Sequence, residues 1–355
     1  MRLRLTWLLA LALLAVTACQ SSGENGGDDE PDAAAPVVSP DAAPQPDLDY
    51  TLELVELGQD LVELPGGAMQ DLSGLAYAGD ARYFVVDDGE CKLRTFSVSI
   101  NLDTGLIADV SLDSELTLED REDCEEVAVH PDGTIYVSDE IDPSVVQHLP
   151  SDGRQVVSLA VPAFIQSEQR SNFGFEALAI EADGARFWAA NEGSYEADGP
   201  LSTQQTGMPL RLQQWDADGN PSGQWGYIAE RIPAGTIAFH QLGGIGIVDM
   251  EVTDDGRVLV LERTITSLFA NDYELYIFEV ERDAATEISG IAGLSDATWK
   301  PVVKRLLFHR SVSSNFESMT LGPELANGDR SLLVMSEGLG SAPALWSFRL
   351  RRVPE

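Results

Sequence analysis

Basic residues are scarce in this chain. It has 22 Lys and Arg against 59 Asp and Glu, for a formal net charge of −37. No Lys or Arg cluster follows the first few residues. Such a chain repels a phosphate backbone, so the sequence argues against nucleic acid as a partner. Much of the acidity is also what a solvated surface would show.

Common catalytic signatures are also missing. The chain has no GxSxG elbow, no Walker phosphate loop, no HExxH and no CxxC. The run Gly243 to Gly246 superficially resembles a nucleotide loop, but it precedes a strand where that loop needs a helix. Of the four histidines, His130, His148 and His309 fall where a structural or solvated role is expected. His240 stands in a loop that could reach a catalytic site.

Cysteine is rare, and the three cysteines fall into two groups. Cys19 lies near the N-terminus, and only Cys91 and Cys124 belong to the folded region. In an oxidising compartment an even pair most simply forms a disulfide. Zinc binding is a weaker alternative, because no His stands near either residue.

The N-terminal segment predicts export and lipidation. Residues 1–18 form a signal peptide, with Arg2 and Arg4 before an apolar run that is too short to span a membrane. Val16 to Cys19 resembles the bacterial lipobox, so we expect lipid on Cys19; a plain signal peptide is the alternative. Residues 19–48 are a disordered tether, and residues 49–355 are the folded domain. Gln20 favours the outer membrane of a bacterial envelope, contacted only through the anchor.

A hairpin phrase recurs five times. The copies open at Ser73, Glu125, Glu176, Val248 and Glu317. Each copy is an alternating strand, a Gly-containing turn and an apolar strand that closes on an acidic or amide residue. Both ends of a hairpin lie at the edge opposite its turn. The acids that close the hairpins are therefore expected on the same face as those that open them. The closing acids are Asp88, Asp139, Glu140, Glu192, Glu262 and Glu337.

Further strand signals separate the copies, so each repeat reads as four strands, which is one propeller blade. The sequence predicts an all-β propeller of five blades, with a sixth possible in the long spacers. The stretch near Thr51 supplies the strand that the last blade lacks, closing the ring. Insertions are expected at 193–210 and 264–300. An open sandwich is the competing architecture.

The negative charge of the predicted ring of carboxylates must be compensated. Two carboxylates about 4 Å apart repel by roughly 4 kcal/mol at an effective dielectric near 20, so protons or cations must sit among them. Ligands that are all oxygen favour a hard ion, and calcium tolerates irregular coordination. The candidate ligands are Glu125, Glu176, Glu317, Asp88, Asp139, Glu140, Glu192 and Glu337. Alternatively, each Glu accepts backbone N–H groups of the neighbouring blade and only holds the propeller together.

Two arginines lie near the acidic edge. Arg263 follows Glu262, and Arg170 precedes the third opening phrase. An arginine among carboxylates is usually an ion-pair partner. The alternative is that its guanidinium grips a phosphate or carboxylate in two-point fashion.

Several phrases resemble a known family. EEVAVHPDGTIYVSDE, GIVDMEVTDDGRVLVLER and NFESMTLGP are similar to the phytase-like domain, also called esterase-like activity of phytase, over roughly residues 50–352. The resemblance implies a propeller related to calcium-dependent phytases that hydrolyse phosphate esters. Ser73 and Val248 replace the opening Glu in two repeats, which implies a reduced metal cluster.

The predicted function is an envelope-anchored, monomeric hydrolase of small phosphate or related esters, using water activated by calcium. Its expected catalytic residues are Glu176, Glu262 and Arg263. One alternative is a metal-dependent lactonase, which would use Asn172, Asn191 and Asn315. Another is a propeller without catalysis that serves as a binding platform, with the two insertions over the channel mouth.

Overall fold

The computed structural model describes residues 50–355, apart from 67, 68, 70, 122, 172, 235, 237–244, 268–271, 339 and 340. The described residues belong to one compact unit, Asp41–Glu355. The predicted signal peptide, Cys19, the tether, Asn172 and His240 lie outside the described residues. Within the described part, no helix is long and apolar enough to cross a membrane.

The described chain is built almost entirely of strands. The first two are β1 (Tyr50–Glu56) and β2 (Val62–Glu63). Blade one follows with β3 (Leu72–Tyr77), β4 (Arg82–Asp87), β5 (Lys92–Ile100) and β6 (Ile107–Thr117). Blade two has β7 (Cys124–Val129), β8 (Ile135–Asp139), β9 (Ser144–His148) and β10 (Gln155–Ser158), followed by the short helix α1 (Ala163–Glu168).

The remaining blades follow the same pattern. Blade three has β11 (Phe175–Ile180), β12 (Arg186–Asn191), β13 (Pro209–Asp216) and β14 (Pro221–Ile228). Blade four has β15 (Ile245–Val252), β16 (Val258–Ser267), β17 (Asp272–Glu281) and β18 (Val303–Val312). Blade five has β19 (Phe316–Glu324), β20 (Arg330–Ser336) and β21 (Ala344–Pro354), completed by β1 and β2.

The blades form a ring. Each is an antiparallel sheet with its strands in chain order, and the first strands β3, β7, β11, β15 and β19 pack against one another around a central channel. This arrangement confirms the predicted all-β propeller of five blades and rules out the sandwich. The spacers after the third and fourth phrases hold the outer strands of blades three and four, and their described residues form no sixth blade.

The N-terminal strand closes the ring. β1 pairs antiparallel with β21, from Tyr50 opposite Pro354 to Glu56 opposite Phe348. The last blade therefore combines both ends of the folded region, as the sequence predicts. This pairing ties the two ends together by hydrogen bonds, so the ring cannot open without breaking a strand pair.

The two insertions lie beside blade three. The first lies between β12 and β13, as predicted; the second begins after β17 rather than at 264, because β16 and β17 extend through that range. The backbone N–H of Leu294 donates to Asp198 Oδ1 at 3.1 Å. Asp198 also forms a buried two-point ion pair with Arg211, at 2.7 Å for each bond. These contacts join the insertions to each other and to β13.

The apolar cores lie between adjacent blades. Trp188 and Trp225 of blade three have ring centroids 5.4 Å apart, and they pack with Met250 and Val260 of blade four. Truncating such core aromatics costs about 3–5 kcal/mol. The packed cores keep the inner strands rigid, and these strands carry the candidate site.

A disulfide joins the first two blades. Cys91 and Cys124 are bonded with their Cα atoms 5.3 Å apart, which confirms the predicted pair. The bond lies at the end of the blades where the hairpins open. It therefore fixes blade one against blade two beside the acidic residues.

Candidate metal centre at one end of the channel

The same irregularity occurs in the inner hairpin of every blade. Each first strand carries one more residue than its partner strand at the end opposite the turn, which is a β-bulge. The extra residues are Ser73, Glu125, Glu176, Val248 and Glu317. A bulge turns its side chain out of the regular alternation. The opening residues of the five phrases are therefore equivalent in the structure.

A second set of equivalent positions follows the second strand of each inner hairpin. There the backbone N–H groups of Asp88, Glu140 and Glu192 donate to Asp71, Asp123 and Gly174, at 3.0, 3.2 and 3.1 Å. Glu337 donates to Asn315 in the same way at 3.0 Å, and Arg263 pairs with Gly246. Four blades thus carry an acid at this position, and blade four carries an arginine.

Glycine is needed where adjacent blades meet most closely. A Cβ on Gly174 would lie 2.4 Å from the carbonyl oxygen of Glu140, and one on Gly246 would lie 2.1 Å from that of Glu192. Any larger residue would push blades two, three and four apart at this end. These glycines let the acids of neighbouring blades converge.

Five carboxylates from blades one to three lie together. Oxygens of Asp88, Asp123 and Glu125 all lie within 4.8 Å of one another, and so do oxygens of Glu125, Glu140 and Glu176. Glu125 belongs to both groups. We call these five residues the acid half of the ring.

Burial and mutual repulsion favour the protonated forms of Asp123, Glu125, Glu140 and Glu176. Burial and then Glu140 raise the pKa of Glu125 well above its usual range, while burial and then Glu125 do the same for Glu176. Burial is also the main cause that raises the pKa of Asp123 to about 8 and that of Glu140 to about 7. The metal-free cluster therefore holds protons near neutral pH.

Few donors compensate the acid half. Glu140 accepts one backbone N–H, from Gly174 at 3.2 Å, and shares a side-chain hydrogen bond with Glu176. Within the described ranges, no backbone N–H donates to the carboxylates of Glu125 or Glu176. These two side chains do not play the purely structural role considered from the sequence.

Three other acids do play that role, and sequence reasoning missed them. Glu126 Oε1 accepts the N–H groups of Leu75 and Val127 at 2.9 and 2.8 Å. Asp249 accepts from Met319, and Glu251 accepts from Leu321 at 2.9 Å. Glu126, Asp249 and Glu251 line a channel cavity of about 160 Å³. They satisfy inner-strand N–H groups that would otherwise lack partners.

The other side of the ring is built around an arginine. Arg263 Nη2 lies 2.7 Å from Glu192 Oε1, and Arg263 Nη1 lies 2.9 Å from Asn315 Oδ1 and 3.0 Å from Glu317 Oε1. Asn315 also donates to Glu317, and Glu317 shares a hydrogen bond with Glu337. We call Glu192, Arg263, Asn315, Glu317 and Glu337 the arginine half. The guanidinium is buried, and its Nε–H has no acceptor among the described residues.

Two predicted site residues have partners outside the two carboxylate groups. Asp139 lies 3.7 Å from Arg121, and Glu262 accepts from Tyr227 at 2.8 Å and from Lys304 at 3.2 Å. Each precedes a ring residue by one position, and successive side chains of a strand face opposite sides. Neither belongs to the carboxylate groups described above. Metal binding by Asp139 and catalysis by Glu262 stay predictions.

Other candidates have local partners. Asn191 Oδ1 accepts the N–H of Arg211 at 2.8 Å, so it is engaged in the backbone of blade three. Arg170 donates to the carbonyls of Ser194 and Gly199 at 2.8 and 3.1 Å, which fixes the first insertion. Asn315 is the one lactonase candidate that the described residues bring to the ring.

Asp123 was missed by the sequence analysis. It stands two residues before Glu125, at the position that Asn315 occupies before Glu317 and Asp71 before Ser73. Aligning the five phrases two residues further upstream would have revealed it. The phrases were read from their opening residue, which left this position out.

A cleft of about 680 Å³ lies next to the ring, between blades four and five. Its lining includes Phe316, Trp346, Asp60, Asp272, Ser313 and Ser314. Its one arginine among the described lining residues, Arg310, is paired with Glu56 at 2.6 Å. The cleft therefore carries excess negative charge.

Comparison with known proteins finds one family match. The model of the phytase-like family, described as esterase-like activity of phytase, matches residues 67–337. No curated protein gives a significant match. Among solved structures, the hydrazine synthase of Kuenenia stuttgartiensis is similar with a TM-score of 0.37 and 12% identity, over 84% of this chain and 68% of that one. That degree of likeness supports no functional conclusion.

Proposed function

Because the chain belongs to the phytase-like family, we propose that it is a calcium-dependent hydrolase of phosphate esters, with its reaction centre at the acidic end of the channel. One observation carries the proposal. Five carboxylates from three blades converge there with few compensating donors, and Asp123, Glu125 and Glu140 are buried. A cation is the simplest compensation outside the cell.

The residues of the acid half fit a calcium ion. They offer oxygen atoms only, and their groups are compact enough to share one ion or two neighbouring ions. Asp88, Asp123, Glu125, Glu140 and Glu176 would hold it. Bound calcium supplies positive charge that attracts an anionic ester and lowers the pKa of water.

Glu176 belongs to the acid half but also interacts electrostatically with acids of the arginine half. Burial raises its pKa first, and then Glu125 and Glu140 on one side and Glu192 and Glu317 on the other raise it further. A carboxylate in this position borders both the cation site and Arg263. We assign Glu176 the role of orienting the attacking water, in line with its predicted catalytic role.

Arg263 completes the charge pattern. Three of its five N–H donors are engaged by Glu192, Asn315 and Glu317, as in the ion-pair role considered from the sequence. The Nε–H remains without an acceptor among the described residues. Arg263 therefore contributes positive charge and at least one donor, its Nε–H, to a developing oxyanion.

The cleft beside the ring accommodates the alcohol part of the ester. Ser313 and Ser314 lead directly into Asn315, whose side chain contacts Arg263. A volume of about 680 Å³ is within the range of small-molecule sites. The hydroxyls and unpaired carboxylates of its walls suit a hydroxylated group without further phosphates.

We also propose that the protein acts at the bacterial envelope, anchored through lipid on Cys19, as an outer-membrane lipoprotein. The support is the sequence pattern of the first 19 residues. Intact-mass analysis of the membrane fraction tests the anchor. A soluble product cleaved elsewhere would rule it out.

Release of nitrophenol from a nitrophenyl phosphate tests the reaction. We expect turnover by pure protein only with calcium, and loss of that turnover in Glu176→Gln. Glu281→Gln is the matched control, because Glu281 is exposed at the far end of blade four. Absence of metal-dependent hydrolysis of phosphate, carboxylate and lactone esters would instead favour the binding platform. Hydrolysis of lactones alone would favour the lactonase.

A further inference from the structure

Arg263 occupies a position where the other four blades carry an acid. Its equivalents are Asp88, Glu140, Glu192 and Glu337, identified by the backbone pairing at the end of each inner hairpin. Blade four therefore differs from the other blades in the charge of this side chain, whereas its backbone pairing is the same. It reverses the charge at one point of a five-membered ring.

The reversal divides the ring unequally. The acid half has five carboxylates and, among the described residues, no basic side chain within it. In the arginine half one guanidinium lies within 3.0 Å of carboxylates from the two flanking blades, Glu192 and Glu317. The guanidinium therefore bridges blades three, four and five as a bound cation would. It does so with only 6% of its surface exposed.

We propose that Arg263 takes the place of a metal ion in the arginine half, so that calcium is confined to the acid half. A guanidinium neutralises carboxylates at any calcium concentration, because it does not dissociate and stays protonated at all relevant pH values. One half of the ring is therefore fully assembled in the metal-free protein, whereas the other half needs the ion. This inference rests on the calcium binding in the proposed function and is independent of hydrolysis.

Calorimetry of calcium binding to the full folded chain tests the inference, using calcium chloride as the probe. We expect Glu125→Gln to weaken binding by at least about tenfold, since even changes behind the ligands cost roughly 10–100-fold. Glu317→Gln, which removes an acid of the arginine half, should leave affinity and stoichiometry within about twofold of the wild type. Equal losses in both variants would overturn the inference and leave the calcium proposal standing.

A second arm replaces the arginine itself. Arg263→Gln should gain a calcium equivalent or become much more sensitive to EDTA in thermal unfolding, whereas Arg263→Lys should behave like the wild type. Unchanged stoichiometry and EDTA sensitivity in Arg263→Gln would contradict the inference. If Arg263→Gln fails to fold, the pair Glu125→Gln and Glu317→Gln decides alone. A wild type that binds no calcium would refute both the inference and the metal part of the proposed function.

Discussion

Glu125 is the residue on which the candidate metal centre depends most. It is the extra residue of its bulge, and it alone belongs to both groups of converging oxygens. No backbone N–H among the described residues stabilises its charge, so its burial is unfavourable without an ion or a proton. Its importance therefore comes from the carboxylates that converge on it and from the lack of N–H donors to its charge.

Replacing this residue gives the first prediction. In the wild type, millimolar calcium should raise the melting temperature, because the ion binds the folded state alone. Glu125→Gln should lose most of that increase, while its melting temperature in EDTA stays equal to or above that of the wild type because a buried repulsion is removed. Differential scanning calorimetry measures both. A full calcium response in Glu125→Gln would exclude it as a ligand.

The neighbouring Glu126 is expected to behave in the opposite way. Its carboxylate accepts two inner-strand N–H groups, so Glu126→Ala leaves two buried donors unpaired and should cost about 1–3 kcal/mol for each. The calcium-dependent increase should persist. Urea unfolding with and without calcium tests this, and Glu126→Gln, which keeps an acceptor, is the milder control. A loss of the calcium-dependent increase in Glu126→Ala would contradict the assignment of Glu126 as a structural acid that does not bind calcium.

At the scale of elements, the recurring bulge explains how the inner hairpins bring acidic side chains together at one end of the channel. Each inner strand is regular except at one end, where the extra residue and the residue after the second strand converge. Two glycines permit the close approach of blades two, three and four. The inner hairpins thus form the scaffold, and their shared end carries the chemistry.

This convergence predicts a pH dependence for the metal-free protein. The pKa of Asp123 is raised to about 8 and that of Glu140 to about 7, whereas unfolded carboxyls titrate near about 4. At pH values between the unfolded and the folded pKa values, the folded state binds more protons than the unfolded chain. The free energy of unfolding therefore falls as pH rises through this range. In EDTA, the melting temperature should therefore be lower at pH 8 than at pH 5.

Calcium and a single substitution separate this effect from general charge repulsion. Calcium should remove much of the loss at pH 8, because the ion compensates the ionised carboxylates. Asp123→Asn should flatten the pH profile in EDTA, whereas Asp109→Asn, on the exposed outer strand β6, should not. A melting temperature in EDTA that rises from pH 5 to pH 8 would contradict the pKa directions.

Much of the element arrangement was predictable from sequence, because a hairpin phrase repeated at blade length leaves little choice of architecture. The equivalence of Glu125, Glu176 and Glu317 followed from the same repetition. The contacts of Asp139 with Arg121 and of Glu262 with Tyr227 depend on the side of the strand that each side chain faces, and the repeat alone does not predict them. The N–H of Leu75 that Glu126 accepts comes from the neighbouring blade, and no local sequence pattern reveals this contact.

At the scale of the whole molecule, charge should govern which substrates enter. The net charge is −37, and the cleft beside the ring has unpaired acids while its arginine is neutralised. A ligand with several phosphates would meet repulsion that only the small acid half, once loaded with calcium, could offset.

We therefore predict a preference for singly phosphorylated esters. With calcium, kcat/KM should be at least about tenfold higher for a sugar monophosphate than for the matching bisphosphate, which corresponds to roughly 1.4 kcal/mol. Converting both Asp60 and Asp272 to Arg should reduce the difference in kcat/KM between the two substrates. The control of equal charge converts Asp109 and Asp113, both exposed on β6, to Arg. Equal turnover of both substrates by the wild type would show that the cleft does not select by charge.

The central claim is that calcium binds in the acid half, and anomalous diffraction from calcium-soaked crystals tests it most directly. The account predicts a calcium peak among Asp88, Asp123, Glu125, Glu140 and Glu176, with none between Glu192, Arg263 and Glu317. A peak in the arginine half, a peak beside Glu126 and Asp249 alone, or no peak at saturating calcium would contradict it.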